Sequence, residues 1–129
     1  MNPSTPPRTN LPIIQKMVAA YKVWQSYPRH FPKDLRYTLG AKIDLLFVET
    51  TEALFIASCL LKEQKLPYLH KASIKLDLLK FFLRVAWESR AFDNKKFIAL
   101  SEHFDEIGKM LGGWQRHAST KENPAKGGE

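Results

Sequence analysis

The stretch ASIKLDLLKFFLRVAWESR, residues Ala72–Arg90, is apolar on almost every side when it is drawn as a helix. At 3.6 residues per turn, its polar side chains fall on one narrow stripe, which comprises Ser73, Asp77, Lys80, Arg84 and Glu88. A surface helix usually has an apolar face about 100° wide, so this helix must be covered from more than one side. It is too short and too charged to span a membrane, which takes about 20 predominantly apolar residues. The pattern predicts the central helix of a bundle, with its remaining apolar surface covered by another subunit.

The composition fits one globular domain with a basic surface. The chain has 129 residues, of which 20 are Lys or Arg and 13 are Asp or Glu, for a net charge of +7. This length is enough to bury a core, and the excess of positive charge favours an anionic partner, most commonly nucleic acid. A basic surface that serves only solubility is the alternative that charge alone leaves open.

The single cysteine, Cys59, lies in an apolar run and excludes an intrachain disulfide. We expect a buried, unreactive thiol, because no base is evident near it. The first residues, MNPSTPPRTNLP, lack the apolar core of a signal peptide. Together these features predict a cytoplasmic protein in a reducing compartment.

Apolar periodicity and proline positions divide the chain into four helices. They are predicted to cover about Leu11–Tyr27, Lys33–Lys62, Pro67–Arg90 and Asn94–His117. Pro67 suits the first position of the third helix, and Asp93 is the predicted N-cap of the fourth. Short links imply antiparallel neighbours. The prediction is an all-α, up-down four-helix bundle over residues 11–117, with a flexible arm at 1–10 and a disordered tail at 118–129.

The second predicted helix has two apolar faces. The first face is sufficient for a monomeric bundle and comprises Leu35, Leu39, Ile43, Leu46, Phe47, Ala53, Leu54, Ala57 and Leu61. A further set, which we name the second stripe, comprises Tyr37, Ala41, Val48, Phe55 and Cys59 and largely follows a seven-residue repeat. Such a repeat is typical of a helix–helix seam between subunits. The second stripe therefore predicts self-association, and a broad core face is the alternative.

The fourth predicted helix carries small residues beside its apolar face, at Ser101, Gly108 and Gly112. Glycine is a poor helix former in the interior of a helix. These positions therefore indicate either close packing of a neighbouring backbone or fraying of the helix after Gly112.

No residue pattern predicts catalysis or cofactor binding. The histidines are scattered, without the i, i+4 spacing of a helical zinc site; they are His30, His70, His103 and His117. The cluster Glu102, Asp105 and Glu106 lacks the Glu-x-x-His motif of di-iron bundles. No nucleophile, base and orienting group can be assigned. We therefore expect a protein that is not an enzyme and that holds neither metal nor cofactor.

Positive charge is concentrated in the range Lys62–Lys96, which contains nine basic and four acidic residues. Lys80 and Arg84 lie one helical turn apart, so they are placed to contact phosphates as a pair. The alternative is that both residues only pair with Asp77 and Glu88 at helical spacing.

Lys71 and Lys75 lie one turn apart at the start of the same helix, and we count them among the candidate nucleic-acid-binding residues. If the chain forms a ring, every such pair is repeated around it. Because affinity rises with the number of phosphates neutralised, this repetition turns a weak basic patch into a strong one.

Three runs of the sequence carry a resemblance to a known family. They are HFPKDLRYTLGAKID (His30–Asp44), KEQKLPYLHKASIKLDLLKFFLRVAWE (Lys62–Glu88) and ALSEHFDEIGKMLGGW (Ala99–Trp114). These runs resemble the Avd-like four-helix-bundle family, the accessory variability determinant proteins of diversity-generating retroelements. The related ribosomal RNA intervening-sequence proteins share this fold. The resemblance extends from about Tyr21 to Trp114 and leaves out both ends of the chain.

The resemblance implies a barrel-like homopentamer of four-helix bundles with a basic surface. It also implies binding to the retroelement's reverse transcriptase, template RNA and cDNA, in support of mutagenic cDNA synthesis and retrohoming. The basic positions of the family match this sequence at Lys80, Arg84, Lys109, Arg36 and Lys42. An intervening-sequence-type interaction protein with no polymerase partner is the first alternative, because a shared fold does not fix function. A small-ligand or metal-binding bundle is the second alternative.

Overall fold

The computed structural model describes residues 11–26, 31–91 and 93–120, and the regular structure in these ranges is entirely helical. The four long helices are α1 (Pro12–Gln25), α3 (Ala41–Ser58), α4 (Lys62–Glu88) and α5 (Asn94–Ser119). A short helix, α2 (Lys33–Leu35), leads through a π-helical turn, Arg36–Gly40, directly into α3. The predicted all-α fold with four helices is confirmed. Within the described ranges, no helix combines the length and apolar character needed to cross a membrane.

Several predictions fall on residues that the structure does not describe. The predicted arm at 1–10, the end of the first helix at Tyr27, the linker residue His30 and tail residues 121–129 all lie outside the described ranges.

The long helices form a ring in chain order, so that α1 contacts α3 and α5, and α4 also contacts both of these helices. Lys65 Nζ donates to the carbonyl of Ala57 over 2.6 Å, and farther along the same helices Lys75 Nζ pairs with Glu49 over 2.9 Å. Rising residue numbers on α4 therefore match falling numbers on α3. This is the antiparallel arrangement expected from the short link between the two helices.

Aromatic rings fill the centre of the bundle. The ring of Phe47 lies 5.4 Å from that of Phe104, centroid to centroid, and 6.2 Å from the ring of Trp24. Phe31 packs edge-on against Trp24 at 5.7 Å, just before α2 begins. Full burial of one such side chain contributes about 1.5–3 kcal/mol. The other largest fully buried side chains are Met17, Ile43, Leu46, Leu54, Leu69, Leu79, Leu83, Leu100 and Ile107.

One carboxylate of α3 satisfies two aromatic donors of α1. Asp44 Oδ1 accepts the Tyr21 hydroxyl over 2.9 Å and the Trp24 Nε1–H over 3.3 Å. Trp24 is buried, and among the described residues Asp44 is the hydrogen-bond partner of its N–H. Burial, followed by the hydrogen bond and charge of Asp44, raises the pKa of Tyr21. Asp44 therefore connects α3 to α1 through two side-chain hydrogen bonds.

The start of α4 corrects the sequence prediction. The helix begins at Lys62 rather than Pro67, and the predicted turn at 63–66 is helical. Leu61 is extended, and its N–H donates to the side chain of Gln64 over 3.4 Å, which supports an earlier helix start. Pro67 lies inside the helix, on its exposed side.

The other helix boundaries differ by smaller amounts. The second predicted helix contains the π-helical turn and ends at Ser58 rather than at Lys62. Asp93 caps α5 as predicted, because its Oδ1 accepts the N–H of Lys96 over 2.9 Å. α5 continues to Ser119, two residues past the predicted end of the domain.

α4 ends in a left-handed turn at Arg90. The N–H of Ala91 donates to the carbonyl of Ala86 over 2.8 Å, and that of Arg90 donates to the carbonyl of Trp87 over 3.0 Å. These two bonds form a Schellman motif, whose left-handed position is usually glycine. Arg90 has a φ of 63° and is the only non-glycine residue with positive φ in the described ranges.

The predicted close packing at the small residues of α5 is not found at Gly108. A Cβ added at Gly108 would meet no other atom within 4 Å, and one at Gly112 would meet only the Arg116 side chain, at 3.4 Å. The helix also continues through both glycines, so the predicted alternative of fraying after Gly112 is wrong.

Candidate nucleic-acid interface

Lys80 and Arg84 lie on the exposed polar stripe of α4, as the sequence predicted. They border a groove between α4 and α5 that Ser101 and Asp105 line from the other side. Arg84 Nε pairs with Glu88 over 3.0 Å, and the two side chains are 68% and 55% exposed. Among the described residues, Lys80 has no ion-pair partner.

The ion pair of Arg84 does not withhold its charge from a ligand. An exposed i, i+4 pair is worth only about 0.3–0.5 kcal/mol, which is less than a guanidinium gains from two charge-assisted hydrogen bonds to a phosphate. The alternative of ion pairs at helical spacing is therefore found for Arg84, which pairs with Glu88, and not for Lys80, which has no ion-pair partner among the described residues. Both residues remain available at the surface.

A second basic group surrounds Glu49 at the junction of α3 and α4. The hydrogen bond from Lys75 and the charges of Lys75, Lys42 and Lys71 lower the pKa of Glu49. Lys42 and Lys71 are exposed, whereas Lys75 is partly covered. One carboxylate is thus held among three cations, and the group keeps a surplus of positive charge.

The last two predicted basic residues are placed differently from these groups. Arg36 is partly buried in the π-helical turn, where its Nη2 donates to the Phe31 carbonyl over 3.3 Å. Its Nε is buried without a described hydrogen-bond partner. Lys109 is exposed on α5. The structure therefore does not bring the seven predicted cations together in one site, and Arg36 takes part in holding the end of the bundle.

The second stripe is exposed along its whole length in the single chain. Tyr37 is 78% exposed, Val48 49% and Phe55 42%. The alternative of a broad core face is therefore wrong. Leu45, which the sequence analysis left out, lies on the same face and is 49% exposed. Leu45 lies four residues after Ala41 and three residues before Val48. This alternation of four and three is typical of a helix–helix seam, and the sequence analysis overlooked it.

Cys59 corrects the prediction of a buried thiol, because its side chain is exposed. The residue follows the last residue of α3, at the end of the second stripe. An apolar neighbourhood in the sequence indicated burial, but the bundle covers only part of this run, since Ala57 is buried whereas Leu61 is 64% exposed.

The second stripe adjoins a groove against α1. Val18 and Tyr21 of α1 and Val48 and Phe55 of α3 line an apolar cavity of about 460 Å³. A separate apolar strip runs along the outer side of α4, where the exposed side chains are Ile74, Leu78 and Phe81. In the described part of the chain, apolar surfaces on both α3 and α4 are therefore uncovered.

The fold is an antiparallel four-helix bundle with cationic side chains on several outer faces. A family model described as bAvd-like matches residues 12–118, which span all four long helices. The chain belongs to the bAvd-like family, and the family resemblance found in the sequence is confirmed. A comparison with curated proteins returned no match.

Proposed function

We propose that this protein is the nucleic-acid-binding accessory subunit of a diversity-generating retroelement. In this role it binds the reverse transcriptase together with template RNA and cDNA, and it supports mutagenic cDNA synthesis and retrohoming without catalysing a reaction itself. Its place of action would be the cytoplasm. Membership of the bAvd-like family over residues 12–118 is the observation that carries the proposal.

The distribution of charge supports the nucleic-acid part of the proposal. Lys80 and Arg84 are exposed one turn apart on α4, and a further basic group lies around Glu49. The net charge of +7 gives the whole surface an attraction for polyanions. Binding through phosphates carries little sequence information, so the specificity of the complex would reside in the polymerase and the RNA.

The two uncovered apolar surfaces support a ring. If the second stripe of one chain packs on the outer strip of α4 in the next, the contact joins different surfaces and is head-to-tail. Such contacts generate rings when the rotation closes. The pentamer implied by the family resemblance is the proposed closed form, and it repeats each basic group five times.

Light scattering combined with an RNA titration tests the proposal. We expect the mass of five chains, and an affinity for a structured RNA that falls steeply between 50 and 200 mM salt, as counterion release requires. A monomer indifferent to RNA would contradict the proposal. An intact oligomer that ignores RNA would instead favour an interaction protein of the intervening-sequence type.

Charge reversal then tests the site. The double variant Lys80→Glu/Arg84→Glu should weaken RNA binding by at least 100-fold and leave the mass of the oligomer unchanged. Lys22→Glu/Arg116→Glu is the matched control, because both residues are exposed and the change in charge is identical. Equal losses for the two variants would show that net charge, rather than the α4 pair, sets the affinity.

A further inference from the structure

The turn between α4 and α5 carries an oriented tryptophan. The indole of Trp87 stacks on the ring of Phe97, with centroids 4.5 Å apart and planes inclined by 5°. Its Nε1–H donates to Asn94 Oδ1 over 2.6 Å. These two contacts hold the indole in one orientation. Trp87 is nevertheless not buried in the core.

The same indole lines an open surface cavity of about 620 Å³, together with Glu88, Arg90, Asp93 and Asn94. Two carboxylates line this cavity as well. Glu88 pairs with Arg84, and Asp93 accepts the N–H of Lys96. Arg90 is exposed, and its guanidinium has no partner among the described residues. An aromatic surface and an uncommitted cation therefore lie side by side.

The backbone at Arg90 gives independent evidence that this cation is useful. Its φ of 63° lies in the left-handed region, which glycine occupies without strain and which costs other residues conformational energy. The Schellman turn requires this conformation but not an arginine side chain. An arginine at a position that suits glycine therefore indicates that its side chain contacts a partner molecule.

We infer that the α4–α5 turn binds an unpaired nucleotide of RNA, with the base stacked on Trp87 and the neighbouring phosphate held by Arg90. This inference rests on the proposed function and narrows it to a ligand class. Aromatic side chains stack readily on bases that are splayed out of a strand. The bases of a duplex are already stacked on each other. A guanidinium matches the geometry of a phosphate in two-point contact.

Two RNA probes test the inference. We would titrate the full-length protein with a 12-nucleotide oligo(U) and with a 12-base-pair RNA duplex, at low salt. Trp87→Leu should weaken oligo(U) binding about tenfold and change duplex binding less than twofold. Trp87→Phe should keep most of the oligo(U) affinity, because it retains an aromatic face. Trp114→Leu is the control, because Trp114 lines a different cavity with Leu11 and Lys65.

Arg90→Gly gives a readout that a structural role alone would not produce. It should raise the melting temperature by about 3 °C, because glycine relieves the left-handed strain. It should also weaken oligo(U) binding several-fold. The salt dependence of the binding constant should decrease by the equivalent of about one phosphate contact. Arg116→Gly, which removes an exposed arginine from α5, should not weaken oligo(U) binding to the same extent.

The outcomes separate this inference from the proposed function. If the duplex still binds and neither Trp87→Leu nor Arg90→Gly changes the affinity for oligo(U), the inference is overturned and the proposed function stands. Failure of the wild-type protein to bind either RNA would overturn both. If Trp87→Leu weakens the affinity for both RNAs equally and its circular dichroism spectrum is unchanged, the preference for unpaired bases is overturned.

Discussion

Glu49 and Lys75 join α3 to α4 through a salt bridge of 2.9 Å, in the middle of a group of three lysines. The pair is partly covered, with 32% of the Glu49 side chain and 24% of the Lys75 side chain exposed. The carboxylate stabilises the folded chain, but it also neutralises positive charge that a phosphate would otherwise meet. Under the proposed function, stability and RNA affinity are therefore opposed at this junction.

Glu49→Gln should expose that opposition. We expect RNA affinity to rise a few-fold, since Lys75 loses its ion-pair partner and Lys42 and Lys71 lose the nearby charge of Glu49. The free energy of unfolding should fall by about 0.5 kcal/mol, which is typical of a partly exposed ion pair. Filter binding and urea denaturation measure the two effects. Glu106→Gln is the matched control, because it breaks the 3.0 Å pair with Lys16 between α1 and α5.

The stability difference should depend on pH in a defined direction. Because the pKa of Glu49 is lowered in the folded chain, its contribution is complete above the ordinary value of 4.5 and is lost as pH falls below it. Wild type and Glu49→Gln should therefore differ in urea midpoint at pH 7 and converge as the pH falls through the lowered pKa of Glu49. A constant difference across this range would assign the effect of the substitution to packing.

Charges placed on the second stripe should dissociate the oligomer. Val48→Glu/Phe55→Glu should yield a folded monomer, because both side chains are exposed in the single chain but would bury unpaired charge at a subunit contact. Light scattering gives the mass, and alkylation of Cys59 gives a second readout. The thiol should react at least tenfold faster in the variant than in the wild type. Leu61→Glu, at an exposed apolar residue off the stripe, should leave the mass unchanged.

Removal of the Asp44 carboxylate should destabilise the bundle. Asp44→Ala leaves the buried Trp24 N–H and the Tyr21 hydroxyl without their partner, at a cost of about 2–3 kcal/mol. Tyr21→Phe removes one hydrogen bond and should cost about 1 kcal/mol. Urea denaturation followed by tryptophan fluorescence measures both. An equally small loss for the two variants would mean that water replaces the carboxylate.

Tyr21 should also produce an alkaline decline in stability. Its pKa is raised in the folded chain, so its contribution is complete below about pH 10 and is lost as pH rises through the raised value. Tyr21→Phe should remove this part of the decline. If both proteins lose stability equally above pH 10, the lysines rather than Tyr21 are responsible.

Gly108→Ala should stabilise the single chain by about 1 kcal/mol, because alanine is the better helix former and its Cβ meets open space. The measurement is urea denaturation of the monomeric variant described above. In the proposed oligomer the same substitution reports on a neighbouring subunit. A loss of oligomer stability there would mean that a partner backbone lies against this side of α5.

The long, strongly periodic features could be predicted from the sequence, because helical spacing alone determines which side chains share a face. The polar stripe of α4 and the second stripe of α3 were both found in this way. The start of α4 was missed, since Pro67 resembles a first helical position and nothing local signals that Leu61 is extended. The exposure of Cys59 was missed because an apolar run does not reveal which of its faces the bundle covers.

The candidate site was predictable in its residue types but not in its grouping. Lys80 and Arg84 are neighbours on one helix, so their pairing could be deduced from their spacing. The gathering of Lys42, Lys71 and Lys75 around Glu49 depends on the register of two helices, which no local pattern fixes. The half-buried position of Arg36 depends on the π-helical turn, and that turn has no clear sequence signal.

The π-helical turn has a consequence for changes in chain length. A π turn holds about one residue more than the α turn that it replaces. Arg36–Gly40 therefore contains one residue more than an α-helix would need before α3. Deletion of exposed Thr38 would convert the turn to α-helix and rotate only what precedes it. Deletion of Thr50 would instead turn one half of α3 by about 100°, and would carry Phe47 out of the core. Single-residue deletions should therefore be tolerated in the π-helical turn, whereas a deletion in the middle of α3 should prevent folding.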